Sequence, residues 1–277
     1  MPGPWRCVIA ALPTPFAEDG AADPARFAAL GRAVLDAGCD ALAAFTEVGD
    51  AGALTSAEHA ALLDALAGAV PPRAILAGAA GLELADVDAL TRRAGELGVG
   101  GVYLAPPPDA HPETVRAYRD AGVASGRPLV VGAHAETFAW DHPAAVVAAD
   151  GGGDAVRAVA DRAPGVPVVA RGLAAVAPVL EAGASGVLAS AACVYPRAAA
   201  RAWRLALSRE GQPWLDALRA RVRVVDGPAA VKAVLADQLG DPQWAAVRPP
   251  GEAVGAEALR AKLAPLAALA PFPEGGA

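Results

Sequence analysis

The sequence predicts an α/β barrel, a (βα)8 fold of eight parallel strands, followed by a C-terminal helical appendix. Three observations predict it. A local pattern recurs at DAGCDALAAF (36–45), ELGVGGVYLA (96–105) and EAGASGVLAS (181–190), in each case a helix end, a glycine cap, a short turn and an apolar run. The apolar runs are continuous rather than alternating, as in strands buried on both faces of a parallel sheet. At 277 residues and 55% hydrophobic, the chain suits one α/β barrel of about 200–250 residues, or two ordinary domains.

The elements follow in order. Val8–Leu12 reads as strand one, and Phe27, Leu30, Val34 and Leu35 mark one face of helix one. Ala41–Phe45 is strand two, and Thr55 with Glu58 forms a capping box opening helix two. Ala74–Ala77 is strand three, Leu84–Leu97 helix three, Gly101–Ala105 strand four and His111–Ala124 helix four. Leu129–Val131 is strand five, Val166–Ala170 strand seven and Gly186–Ser190 strand eight. Strand six lies inside VVAADGGGDAVRAVAD (146–161). Beyond Arg197–Ser208 the pattern is helical only: Gln212–Val225, Pro228–Leu239 and Glu257–Ala268, with RPPGE (248–252) as a linker. The expected division is a barrel over 1–210, with one helix around 135–163 shortened or missing, and a helical region over 211–277.

Charge and composition exclude several classes. A net charge of −7 and a pI near 5.1 argue against nucleic acid and against an anionic membrane surface. No apolar run reaches the roughly 18 residues of a membrane span. Cys7, Cys39 and Cys193 are odd in number, widely spaced and set in apolar surroundings, so buried free thiols are expected rather than disulfides or zinc ligands. The opening MPGPWRCVIAALPTP lacks a signal peptide's apolar core, and a cytoplasmic location is expected.

In a barrel of this kind chemistry sits where the strands end at their C-terminal side. That places Pro13, Thr14, Thr46, Glu47, Gly49, Asp50, Gly78 to Gly81, Pro106 to Asp109, Gly132, His134, Glu136, Arg171 and Ser190 around the mouth. The segments ALPTPFAEDGAADPARFAALGRAVLDAG, LAAFTEVGDAGALTSAEH, AGAAGLELADV, GVYLAPPP and GASGVLASAACVYP, with VKAVL and RPP beyond them, resemble the dihydrodipicolinate synthase / N-acetylneuraminate lyase family. The resemblance implies a class I aldolase barrel that self-associates as a dimer or tetramer. It implies a Schiff-base lysine after strand six, a proton-relaying tyrosine after strand five, paired threonines after strand two and a second tyrosine after strand four.

None of those residues carries over. The threonine pair falls on Glu47 and Val48, the strand-four tyrosines on Pro108 and Asp109, and the strand-five tyrosine on Gly132; Tyr103, Tyr118 and Tyr195 map elsewhere. The lysine position depends on the alignment. If Ala144–Ala149 is strand six, it is Ala149, Asp154–Ala163 is helix six and helix five is missing. If Asp141–Asp150 is helix five, it is Ala160, and too few residues remain for a parallel crossover, which takes about a dozen. The first alignment is favoured. In both the position is alanine, and the only lysines are Lys232 and Lys262.

The polar groups that remain define the candidates. Glu47, His134 and Glu136 are the candidate catalytic residues, and Arg171, Thr46 and Asp150 the candidate substrate-binding ones. Each has a bland counterpart: drift at Glu47, a solvated loop for His134 and Glu136, and a salt bridge from Arg171 to Glu47 or Asp150. Asp50 reads as a structural acid, and Lys232 as a packing or surface group. The glycines Gly151–Gly153 admit either a close ligand approach or a flexible turn. No cofactor is expected, although Glu47, His134 and Glu136 are a donor set that a divalent metal accepts. The expected function is a small-molecule lyase, hydratase or isomerase of altered chemistry, with a ligand at the barrel mouth. The alternative is a non-catalytic paralogue serving as a binding or scaffold subunit.

Overall fold

A computed structural model describes residues 7–264 except 81, 108, 133–142, 149–150, 209–214, 216–217, 221, 224, 226, 250, 256, 259–260 and 263. Eight parallel strands close into one barrel in chain order: β1 Val8–Ala11, β2 Ala41–Ala44, β3 Ile75–Ala80, β4 Gly101–Ala105, β5 Leu129–Gly132, β6 Ala145–Val147, β7 Val168–Arg171 and β8 Gly186–Ala189. Around them lie α1 Pro24–Asp36, α2 Ser56–Ala69, α3 Leu84–Leu97, α4 Pro112–Ala124, α5 Gly153–Arg162, α6 Val176–Glu181 and α7 Pro196–Leu207, and α8 Gly227–Leu239 follows. Among the described residues no helix is long and apolar enough to cross a membrane.

Local chemistry sets the helix ends. Asp23 accepts from the Arg26 N–H at the start of α1, with Pro24 in the first turn, where no N–H is needed. Thr55 and Glu58 make both bonds of the expected capping box. The three predicted glycine caps, Gly38, Gly98 and Gly183, all have positive φ, at 105°, 67° and 98°.

Strand alternation divides the core in two. Ile9, Ala11, Ala43, Leu76, Ala80, Tyr103, Ala105, Val130, Val147, Val169 and Leu188 fill the barrel. Their sequence neighbours Val8, Ala10, Leu42, Ala77, Val102, Leu104, Val131, Val146, Val168 and Val187 pack outward under the helices. Two expectations are corrected by this arrangement. Strand three is longer than the apolar run suggested, so Gly78 to Ala80 are strand residues rather than loop. Strand seven runs one residue further, so Arg171 is part of β7 and not of the loop beyond it.

The ambiguous stretch resolves into β6 followed by α5, which excludes a helix over 141–150 and puts Ala160 inside α5. The alternative lysine position is therefore on a helix, away from any strand end. The helix expected to be missing falls on 133–142, outside the described residues, as does Ala149.

The segment after the barrel is bound to the strand-top loops by two cations. Lys232 of α8 is fully buried; its Nζ lies 2.6 Å from Asp50, donates to the Ala246 carbonyl at 3.0 Å and stands 4.3 Å over the Phe16 ring. The expected linker begins with an anchor instead. Arg248 stacks on Phe16 at 4.5 Å, donates to the Gly20 and Ala53 carbonyls and forms a two-pronged pair with Glu58 at 2.5 and 3.0 Å. Its hydrogen bonds hold the Glu58 carboxyl at about 2, against the smaller opposing effect of burial.

A carboxylate with its pKa depressed in the fold stabilises above its unfolded value near 4.3, and that contribution is lost as pH falls toward the folded value. Glu58→Gln should therefore melt several degrees below wild type at pH 7, with the gap closing between about pH 4 and pH 2. Thermal melts across that range check it.

Candidate functional site

The loop Thr46–Gly49 is bracketed by two non-glycine residues in the left-handed region, Phe45 and Asp50, both with φ 56°. A bulky residue rarely adopts that conformation, so surrounding contacts must hold it. Phe45 stacks on Phe27 with centroids 5.9 Å apart and meets His59 edge-on at 4.9 Å. At Gly78 a side chain would come within 2.6 Å of the Ala44 and Phe45 carbonyls, so glycine there lets β2 turn over β3. Thr14 donates to the Gly49 carbonyl at 2.6 Å, and Lys232 holds Asp50 from the other side. Asp50 is structural, as expected, and its partner is a lysine of α8. The loop is thus fixed at both ends, and Glu47 stands between them.

Glu47 meets the one charged side chain that a described strand sends inward at its C-terminal end. Arg171 Nη2 donates to Glu47 Oε1 at 2.6 Å and to the Tyr103 hydroxyl oxygen at 2.6 Å, while that hydroxyl donates to Glu47 Oε1 at 2.9 Å. The bland expectation for Arg171, a bridge to Glu47, is realised, and Tyr103 joins it. The pair is only partly covered, with Glu47 37% and Arg171 27% exposed, whereas Tyr103 is wholly buried. The other inward residues near the strand ends are apolar: Ala11, Ala80, Ala105 and Gly132 are small, and Val147 and Leu188 are larger.

Tyr103 is the residue that position-by-position comparison missed. It occupies an inward position on β4, and its hydroxyl lies 2.7 Å from where a Cβ on Gly132 would stand. The expected tyrosine position on β5 is glycine because a tyrosine from the neighbouring strand fills its room. The signal was present: GVYLA places Tyr103 two residues from Ala105 on the same strand face, and a buried phenol needs a polar partner.

The electrostatics separate the two acids. Burial works to raise the Glu47 pKa, but the Arg171 hydrogen bond and charge and the Tyr103 hydroxyl outweigh it, so the group lies below the ordinary range. Burial drives Tyr103 well up and Arg171 only partly offsets it. For Arg171 burial pulls down, while Tyr103 and Glu47 together carry it above its usual value. At neutral pH the cluster is a carboxylate, a guanidinium and a neutral phenol.

Two buried groups here are left over. Among the described residues Arg171 Nε and Thr46 Oγ1 have no hydrogen-bond partner, and each such group costs about 1–3 kcal/mol. Of the remaining candidates, His134, Glu136 and Asp150 lie outside the described residues, so the structure brings together only Glu47, Arg171 and the adjacent Thr46. Among the described residues no group of three or more His, Cys, Asp or Glu side chains could hold a metal ion. The three cysteines are buried and form no disulfide, as expected.

Known proteins agree with this architecture. Residues 4–119 match the Dihydrodipicolinate synthetase family. No curated protein matches the chain. Dihydrodipicolinate synthase from Aquifex aeolicus superposes with a TM-score of 0.83 at 21% identity, over 94% of this chain and 97% of that one. A variant of Sulfolobus solfataricus 2-keto-3-deoxygluconate aldolase gives 0.83 at 17%, over 95% and 96%. A dihydrodipicolinate synthase from Bacillus anthracis gives 0.79 at 22%, over 94% and 97%. At these identities the structures speak to fold alone. In sequence over residues 4–119, and in fold over nearly its whole length, the chain resembles the dihydrodipicolinate synthetase family.

Proposed function

We propose that the protein is a small-molecule enzyme, a lyase, hydratase or isomerase, that works at the barrel mouth without a lysine Schiff base. The observation that carries this is the Glu47–Arg171–Tyr103 cluster, partly open to solvent, in which an Arg171 N–H and the hydroxyl of the preceding Thr46 are buried and without a hydrogen-bond partner among the described residues. Glu47 is the proton acceptor and Arg171 anchors an anionic group, next to the Thr46 hydroxyl. Tyr103 positions both charges and keeps its proton. His134, Glu136 and Asp150 are proposed to complete the mouth on sequence grounds alone, with Glu136 and His134 as further acid–base groups. No bound metal is invoked.

A Schiff base has no lysine to use. Lys232 is buried against Asp50, and Lys262 is exposed beyond the barrel. Borohydride added with pyruvate should therefore leave the mass of the protein unchanged; a stable pyruvyl adduct would refute the reading. Incubating a panel of small carboxylates with the protein and following them by NMR should reveal one that is consumed. Glu47→Gln should slow that consumption by about a hundredfold or more, the range of a lost general base.

The second reading, a non-catalytic binding or scaffold subunit, is favoured by one feature: Arg171 already satisfies Glu47, as a plain structural ion pair would. It predicts that no panel member is consumed and that Glu47→Gln changes nothing but stability. Self-association as a dimer or tetramer, proposed from the family resemblance, is checked by light scattering.

A further inference from the structure

The donors and acceptors that the cluster leaves unused define what fits it. Tyr103 has one hydrogen and gives it to Glu47 Oε1; Arg171 Nη2 has two and gives them to that oxygen and to the phenol. Left over among the described residues are Arg171 Nε and the Thr46 hydroxyl, both buried. On the acceptor side, Glu47 Oε2 meets no side-chain donor among the described residues. A complementary molecule must accept from the guanidinium and donate a hydrogen to the carboxylate at once.

We infer that the mouth takes a small hydroxy acid, its carboxylate on Arg171 and its hydroxyl hydrogen on Glu47. A 2-oxo acid fits poorly, because its keto oxygen only accepts and would face the Glu47 carboxylate with no hydrogen between them. A plain carboxylate leaves Glu47 unanswered. An amino acid offers a donor, but its ammonium would share the Glu47 carboxylate with the Arg171 guanidinium, which already lies 2.6 Å from one of its oxygens, and like charges repel. A hydroxyl carries a hydrogen without that charge. With Tyr103 filling the room at Gly132 and Val147 and Leu188 also inward, the space beside Ala11, Ala80 and Ala105 suits a ligand of few atoms.

This inference rests on the proposed reading of the site, yet the two fail separately. Calorimetry with glycolate, pyruvate, acetate and glycine measures binding, and NMR of the same samples measures turnover. Glycolate should bind wild type about tenfold more tightly than the other three, the effect of one hydrogen bond to a charged acceptor. Glu47→Gln keeps the shape and removes the charge, so pyruvate should gain affinity and the preference should shrink to about threefold or less. Arg171→Met should abolish binding of all four. Equal affinities in wild type, a preference unchanged in Glu47→Gln, or no binding of glycolate would each overturn the inference. Preferred binding of hydroxy acids with no turnover of any hydroxy acid supplied would support the substrate class and sink the enzymatic reading. Consumption of a 2-oxo acid would do the reverse.

Discussion

Replacing Lys232 by methionine should destabilise the protein by about 3–5 kcal/mol, the range for removing one partner of a buried ion pair. The side chain is 0% exposed and Asp50 9%, so the surviving carboxylate would stay buried without its ion-pair partner, with only the more distant charge of Arg248, itself paired to Glu58, to offset it. The 2.6 Å contact lies off the direction of a good hydrogen bond, so its strength is that of an ion pair, and the Ala246 carbonyl supplies the hydrogen-bonded partner. At this size the loss corresponds to roughly 10 °C in melting temperature. Joining it with Asp50→Asn should restore much of the difference. Asparagine tolerates the left-handed φ at that position and carries no charge. If the double variant melts no higher than Lys232→Met, the cost lies in packing on Phe16 and not in the stranded charge. Because Asp50 ends the loop that holds Glu47, the single variant should also weaken ligand binding at the mouth.

Gly151→Ala should cost about 1–3 kcal/mol and disturb the site as well. A Cβ there would lie 2.3 Å from the Arg171 carbonyl oxygen, closer than any real contact, and both groups are backbone that cannot swing aside. Either the turn before α5 lifts or the end of β7 moves. The second carries the guanidinium away from Glu47 and Tyr103. Gly153→Ala is the control, since its nearest neighbour would be the Pro178 carbonyl at 3.3 Å, a tight but tolerable distance. Denaturant melts should separate the two variants, and glycolate affinity should fall for Gly151→Ala alone. Equal behaviour of the two would reduce the glycine run to a flexible turn.

That glycine run shows how far the sequence could be read. Its composition allowed a ligand cradle or a turn, and neither spelled out that Gly151 is needed for close approach to β7. The order of strands and helices was legible because each strand is a continuous apolar run and several helices carry their own start or stop, such as Thr55 with Glu58 and the cap at Gly98. Strand ends were less so. Gly78 to Ala80 lack the branched side chains that mark a strand, and Arg171 looks like the first loop residue until pairing with Leu188 places it in the sheet.

The site divides the same way. Glu47, Thr46 and Arg171 were legible as polar residues at strand ends, since the barrel dictates where its mouth is. Tyr103 was not, because family positions direct attention to the residues after strands four and five and not to an inward position within β4. Lys232 had a signal in hindsight, as one of only two lysines set in the apolar run VKAVL. Its partner Asp50 is far away in the chain, and separations of that kind have no period to read.

The sequence by itself determined the barrel, its order and the absence of any lysine before Lys232, because periodicity, caps and composition are local or simply countable. Only the tertiary structure decided that Glu47, Arg171 and Tyr103 share one set of hydrogen bonds, and that Lys232 and Arg248 fasten the strand-top loops. Those contacts join residues 56 to 232 positions apart, and only closure of the barrel fixes which side chains meet.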